Sequence, residues 1–311
     1  MGILRVKTSW IFPGQGSQHI GMGKDLYESS KTAKKLYKLA EEILEFDFKS
    51  VVFEGLNDQL NQTKYTQPSI FVTSVVLGKM LLKRRLEPFT VAGHSLGEYS
   101  ALTIADSISF EKGLELVKTR ADSMDKAGKL GNGTMAAIIG LEAKEVQKIC
   151  LSYAGEGLVV IANYNSPKQI VISGTHDAVL NIIDIAKDKG AKLAVELKVS
   201  GAFHSPLMKP ARETLTKALS LIKIKDPKYP FFNNVDGKLQ IRGENIKASL
   251  IEQLEKPVLW TKSIIEMKNY GTQSFLEVGP GKVLQGLNKR IDRSLNSSGV
   301  DSLEQIQTLY V

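Results

Sequence analysis

Val91-Ala92-Gly93-His94-Ser95-Leu96-Gly97-Glu98-Tyr99-Ser100-Ala101 joins an apolar lead-in, a serine at Gly-x-Ser-x-Gly spacing and a helix-forming run. The order predicts a buried strand, a sharp turn and a helix. Small residues at 93 and 97 let the backbone bend tightly and leave the Ser95 hydroxyl exposed, which is the geometry of a nucleophile. Placed at a helix N-terminus, the free amide of Leu96 and the positive end of the helix dipole point towards any oxyanion formed there.

Around this turn the first half of the chain alternates strand and helix signals. Residues 9–12 form a short apolar run ending at Pro13-Gly14. Ala33, Leu36, Tyr37, Ala40, Ile43 and Leu44 recur at helical spacing, and a longer helix is expected over 67–85. Helices at about 96–105 and 110–127 follow the serine. Strand followed by helix, repeated, predicts a parallel sheet covered on both faces.

Between residues 130 and 197 the rhythm changes to strand, helix, strand, strand, helix, strand. The predicted strands are 134–140, 158–163, 169–173 and 192–197, the helices 143–152 and 177–188. Asn165-Ser166-Pro167 turns between the two middle strands. This is the ferredoxin-like order. The fold class is therefore α/β, a hydrolase-like parallel-sheet large domain (residues 1–129 and 198–311) interrupted by a ferredoxin-like α+β subdomain (130–197). After 206 the large domain resumes with a helix, a strand at 231–235, helices at 248–254 and 260–268, and a strand at 274–278. Residues 294–297 read as loosely ordered tail.

At 311 residues with 42% hydrophobic and 24% charged residues, the composition is that of a globular protein. The formal charge of +8 points to an acidic partner. The basic residues are scattered and lack interleaved aromatics, which argues against nucleic acid. One cysteine, Cys150, allows no internal disulfide, and four dispersed histidines offer no metal cluster. A cytoplasmic setting without membrane contact is expected: the N-terminus lacks a signal-peptide core, Val6 breaks a myristoylation pattern after Gly2, and the apolar run 69–82, interrupted by Lys79, is too short to span a bilayer.

An activated serine needs a base. His94 adjoins Ser95 and its side chain diverges from it, which suits a supporting role. His176 opens a helix in the inserted unit. His19 follows a glycine-rich loop and is open to either reading. His204, in Ser200-Gly201-Ala202-Phe203-His204-Ser205-Pro206, lies where the chain re-enters the large domain; it is a candidate base, with a structurally satisfied histidine as the alternative. The loop Phe12-Pro13-Gly14-Gln15-Gly16-Ser17-Gln18 lacks both the dinucleotide and the P-loop patterns, and suits donation of backbone N–H groups into a crevice. Val278-Gly279-Pro280-Gly281-Lys282 also fails as a P-loop and reads as a tight strand-to-helix turn. Arg120 by itself reads as a solvated helical arginine, and Gln253 as a surface helix residue.

These segments taken in order, together with Glu277 and Val283-Leu284, strongly resemble the malonyl-CoA:acyl carrier protein transacylases of fatty acid synthesis, over residues 8–291. The resemblance implies Ser95 as nucleophile and His204 as base, with the imidazole oriented by the backbone carbonyl of Gln253. It implies an oxyanion hole from the N–H groups of Gln15 and Leu96, worth about 3 to 4 kcal/mol per donor, and a carboxylate clamp at Arg120. Phe203 is similar to the malonyl-selecting members. The implied course is ping-pong, needing no cofactor or metal: coenzyme A arrives as a thioester substrate, and the phosphopantetheine is carried by an acidic acyl carrier protein. A monomer is expected. Two other readings fit the serine turn, a serine esterase or thioesterase and a catalytically inactive carrier-protein binding module.

Overall fold

A computed structural model describes residues 6–309 of the chain, so the reading on Gly2 lies outside the described residues. Among the described residues ten strands are arranged in two sheets. The larger contains β1 (Thr8–Phe12), β2 (Val91–Gly93), β7 (Phe231–Phe232), β8 (Leu239–Gln240), β9 (Ser274–Val278) and β10 (Asn296–Val300) in the order β10-β9-β1-β2-β7-β8. All its neighbours run parallel except β7 and β8, which pair antiparallel.

Strand alternation divides two apolar layers across this sheet. Trp10, Phe12, Val91, Phe231, Leu276 and Val278 point into the main core, shared with the helices Lys31–Leu44, Thr63–Lys83 and Phe110–Gly131. Ile11, Ala92, Phe232 and Phe275 point to the other face, against Trp260, Ile264, Leu284 and Leu287. Each such large side chain stabilises the fold by roughly 1.5 to 3 kcal/mol when fully buried. With both faces covered, polar groups of the central strands find outlets only at strand ends.

The second sheet holds β3 (Gly133–Ile139), β4 (Val159–Ser166), β5 (Gln169–Thr175) and β6 (Leu193–Glu196), ordered β4-β5-β3-β6 and antiparallel throughout. Numbered within the unit, that is strand order 2-3-1-4, the ferredoxin-like arrangement. The helices Ala143–Leu151 and His176–Asp188 cover one face, enclosing Ala136, Ile138, Ile170, Ile172, Val179 and Ile182. Met135, Ala162 and Val171 on the opposite face join the main core, so the two sheets share packing.

Two expectations about elements need correction. Residues 294–297 are not simply loose: β10 starts at Asn296 and pairs with β9 along its whole length. Its sequence, Asn-Ser-Ser-Gly-Val, lacks apolar alternation because an edge strand can be held by its backbone alone. The strand expected at 231–235 ends at Phe232, since Asn233 turns the chain by pairing its N–H and its side-chain oxygen with Lys238. The run 69–82 is the buried helix expected of it. Among the described residues no helix is long and apolar enough to cross a membrane.

Candidate active site

Ser95 follows β2 at its carboxyl end with φ 52°, in the left-handed region. Non-glycine residues enter that region rarely, and usually where a site demands it. The flanking glycines are required by close approach: a Cβ on Gly93 would lie 1.8 Å from the Gly97 carbonyl carbon, and one on Gly97 would lie 2.1 Å from the Phe12 carbonyl oxygen. The Gly-x-Ser-x-Gly spacing thus lets the following helix, Gly97–Ile104, rest directly on β1 and β2. Asn234, just beyond β7, fixes the turn from the side: its Oδ1 accepts the Ser95 N–H at 2.7 Å and its Nδ2 donates to the Gly93 carbonyl at 2.7 Å.

His204 reaches the same point from the far side of the chain. Its Nε2 lies 2.8 Å from Ser95 Oγ. Its Nδ1 lies 2.8 Å from the Gln253 carbonyl oxygen and 3.2 Å from that of Lys256. Carbonyls only accept, so Nδ1 carries the proton and Nε2 is left as the acceptor for the serine hydroxyl. His204 also has a left-handed backbone, φ 56°. Burial first, and then the charge of Arg120, push its pKa down to about 3, so the imidazole is neutral at ordinary pH.

Arg120 is fully buried, contrary to the solvated helical arginine that position alone predicts. The helix Phe110–Gly131 lies under the main core and turns this residue inward. Nη1 donates to Gln67 Oε1 at 2.6 Å, and Nη2 donates to Ser95 Oγ at 2.9 Å and to Gln253 Oε1 at 3.0 Å. Nε–H has no acceptor among the described residues. A guanidinium carries five N–H donors, so the cation keeps unspent donor capacity beside the nucleophile. No carboxylate forms an ion pair with it among the described residues.

Gln253, which reads as a surface residue, is also fully buried, at the C-cap of the helix Gly243–Glu252. Gln15 lies in the turn after β1, and Leu96 directly after the serine; among the described residues neither backbone N–H has an acceptor. Gly14 packs against the His94 carbonyl, where a Cβ would sit 2.4 Å from the oxygen, so the two loops bearing these amides are in contact. His94 turns away from Ser95: its Nε2 meets Asn165 Oδ1 at 2.8 Å and its ring lies against Trp260. His19 is exposed, and His176 stands at the first position of its helix in the small unit. Of the four histidines only His204 meets the serine.

Besides Gln67, which holds Arg120, two residues at the site went unnoticed in the sequence. Asn234 is one, and Glu98 is the other, a carboxylate buried in the first turn after the nucleophile. Glu98 Oε1 accepts the Asn234 N–H at 2.5 Å and Oε2 accepts from Gln253 Nε2 at 2.6 Å. Burial raises its pKa to about 8, against the opposing pull of these donors and of Arg120. A lone charge in a helix buried on every side was the available signal. Glu277 in the Glu-Val-Gly-Pro-Gly stretch has a different task, capping the helix Val283–Ile291 by accepting the N–H groups of Leu284 and Gln285. Among the described residues no group of three or more His, Cys, Asp or Glu could hold a metal.

A neutral histidine on a serine hydroxyl, two free amides and a buried cation together suit acyl transfer from a substrate bearing a negative charge. The acyl transferase domain family matches residues 9–307 of the chain. A malonyl CoA-acyl carrier protein transacylase of Bacillus subtilis (strain 168) is 43% identical over 97% of this chain and 95% of its own length. One of Staphylococcus aureus (strain MSSA476) is 37% identical over 97% of each. The crystal structure of an acyl carrier protein S-malonyltransferase from Vibrio cholerae superimposes with a TM-score of 0.93 at 41% identity, covering 98% of this chain and 100% of that one. A malonyl-transacylase solved in complex with a type II polyketide synthase acyl-carrier protein gives 0.93 at 38% identity, over 97% and 98%. The chain belongs to the malonyl-CoA:acyl carrier protein transacylase family of acyltransferases.

Proposed function

We propose that this acyltransferase moves a malonyl group from malonyl-CoA to the phosphopantetheine thiol of an acidic acyl carrier protein by a ping-pong course through malonyl-Ser95. Ser95 Oγ attacks the thioester carbonyl as its proton passes to His204 Nε2. The N–H groups of Gln15 and Leu96 receive the developing oxyanion, and the CoA thiolate leaves with the proton from His204. In the second half the carrier thiol gives its proton to His204 and attacks the serine ester; the bond from the acyl carbon to Ser95 Oγ breaks, and Oγ takes that proton back from His204. Gln253 orients the imidazole through its backbone carbonyl, Arg120 holds the malonyl carboxylate, and Phe203, buried beside His204, bounds the acyl pocket.

One observation carries the reading: Arg120 Nη2 and His204 Nε2 both lie within 2.9 Å of the Ser95 hydroxyl oxygen. A malonyl group places its carboxylate two bonds from the carbonyl under attack, so a cation adjoining the nucleophile fits that acyl group. An acetyl group would leave the guanidinium unpaired. A hydrolase is the weaker reading, because nothing in hydrolysis calls for a buried arginine on the nucleophile; an inactive binding module has no need of the Ser95–His204 hydrogen bond. The chain is read as a cytoplasmic monomer needing no cofactor, with a discontinuous large domain (1–129 and 198–311) and a small subdomain (130–197). Its net charge of +8 suits an acidic carrier and a salt-sensitive encounter. Intact-protein mass spectrometry after malonyl-CoA should reveal a malonyl adduct on the peptide containing Ser95; free malonate as the main product, or no adduct, would overturn the reading.

A further inference from the structure

Glu98 and Arg120 are both fully buried, and they do not touch. The side chain of Gln253 stands between them. Its Oε1 accepts from Arg120 Nη2 at 3.0 Å, and its Nε2 donates to Glu98 Oε2 at 2.6 Å and to the Ser95 carbonyl at 3.0 Å. A guanidinium can only donate, and both Glu98 oxygens accept from groups that only donate, the Asn234 N–H and the Gln253 amide N–H, an arrangement that favours the ionised form against its burial; both neighbours therefore impose one orientation on the amide. A direct contact of this carboxylate with the guanidinium would have filled the donors that face Ser95, because arginine and carboxylate pair two-pronged.

We propose that Glu98 and Gln253 form a charge-and-spacer unit that sets acyl selectivity: Glu98 balances the Arg120 charge at a distance, and the Gln253 amide keeps that carboxylate off the guanidinium, leaving it open to the carboxylate of the acyl group. Both are positioning residues, acting through Arg120. Glu98 has a second anchor in the Asn234 N–H, and Asn234 in turn holds the Ser95 amide, so the same carboxylate aligns nucleophile and cation. The inference rests on Arg120 being the carboxylate clamp.

The exchange variant E98Q/Q253E tests it. Formal charge is retained, as is the backbone carbonyl that meets His204, while the carboxylate moves onto Arg120 and the Ser95 carbonyl loses the donor it has in Gln253 Nε2. Malonyl and acetyl transfer from their CoA thioesters to carrier protein are measured side by side. The expected result is a rise in KM for malonyl-CoA of about tenfold or more, a loss near 1.4 kcal/mol, and larger than any loss of acetyl transfer. A parental KM, or equal loss for both acyl groups, overturns the proposal, since a merely structural pair would tolerate the exchange or fail for every substrate. Should the exchange variant not fold, E98Q alone decides. Its new amide turns the Gln253 amide around and presents N–H groups to Arg120, so malonyl transfer should fall more than acetyl transfer; equal loss counts against the proposal. Arg120→Ala separates the two levels. Selective malonyl loss there without selective loss in the exchange variant sinks only the spacer, whereas equal losses in Arg120→Ala sink the clamp itself.

Discussion

The two sheets of this molecule solve the same burial problem in different ways. The six-stranded sheet is covered on both faces, and beyond the carboxyl ends of β2 and β7 Ser95 and Asn234 stand hydrogen-bonded side by side, with the loop that bears Gln15 after β1 packed through Gly14 against His94. The four-stranded sheet is antiparallel, with its helices on one face only, and Leu193 and Val195 of its edge strand are exposed. It contributes Asn165, which meets His94, and no side chain that touches the Ser95 hydroxyl. Chemistry collects where a parallel sheet is forced to end, while the smaller unit acts as a wall.

That contrast can be broken at several points. His204→Ala should lower malonyl transfer by roughly 100- to 10,000-fold while leaving the melting transition in place; near-parental turnover would mean that the serine is activated by something else. The wall should behave in the opposite way. Ile172→Ala, in the centre of β5, should cost about 2 to 5 kcal/mol in urea unfolding and leave turnover per folded molecule unchanged. A matching loss of turnover would show that the small sheet takes part in catalysis. The third effect concerns protons. Unfolded His204 titrates near 6.5 and folded His204 near 3, so in that window the unfolded chain binds the extra proton. The stability this histidine contributes is therefore complete above pH 6.5 and lost as pH falls towards 3. The difference in unfolding free energy between parent and His204→Ala should shift against the parent on acidification; a constant difference would contradict the neutral, buried imidazole.

What could be read in the sequence follows the same division. The serine turn and the order of the ferredoxin-like unit were legible because both are local: Gly93 and Gly97 fix a bend within five residues, and the strands alternate at short range. Arg120 and Gln253 were misjudged by position because a helix does not record which of its faces meets the core, and their roles entered only through resemblance. Glu98 and Asn234 passed unnoticed, being 136 residues apart and joined only by the fold. β10 was missed since nothing in Asn-Ser-Ser-Gly-Val marks a strand that survives on backbone pairing.

Ser95 and His204 share one further trait, a left-handed backbone at φ 52° and 56°. A side chain held there costs on the order of 1 to 2 kcal/mol, which glycine would avoid. In a laboratory population selected for heat resistance alone, codon 95, whose small side chain leaves little space behind, would drift towards glycine, and the survivors would no longer transfer anything.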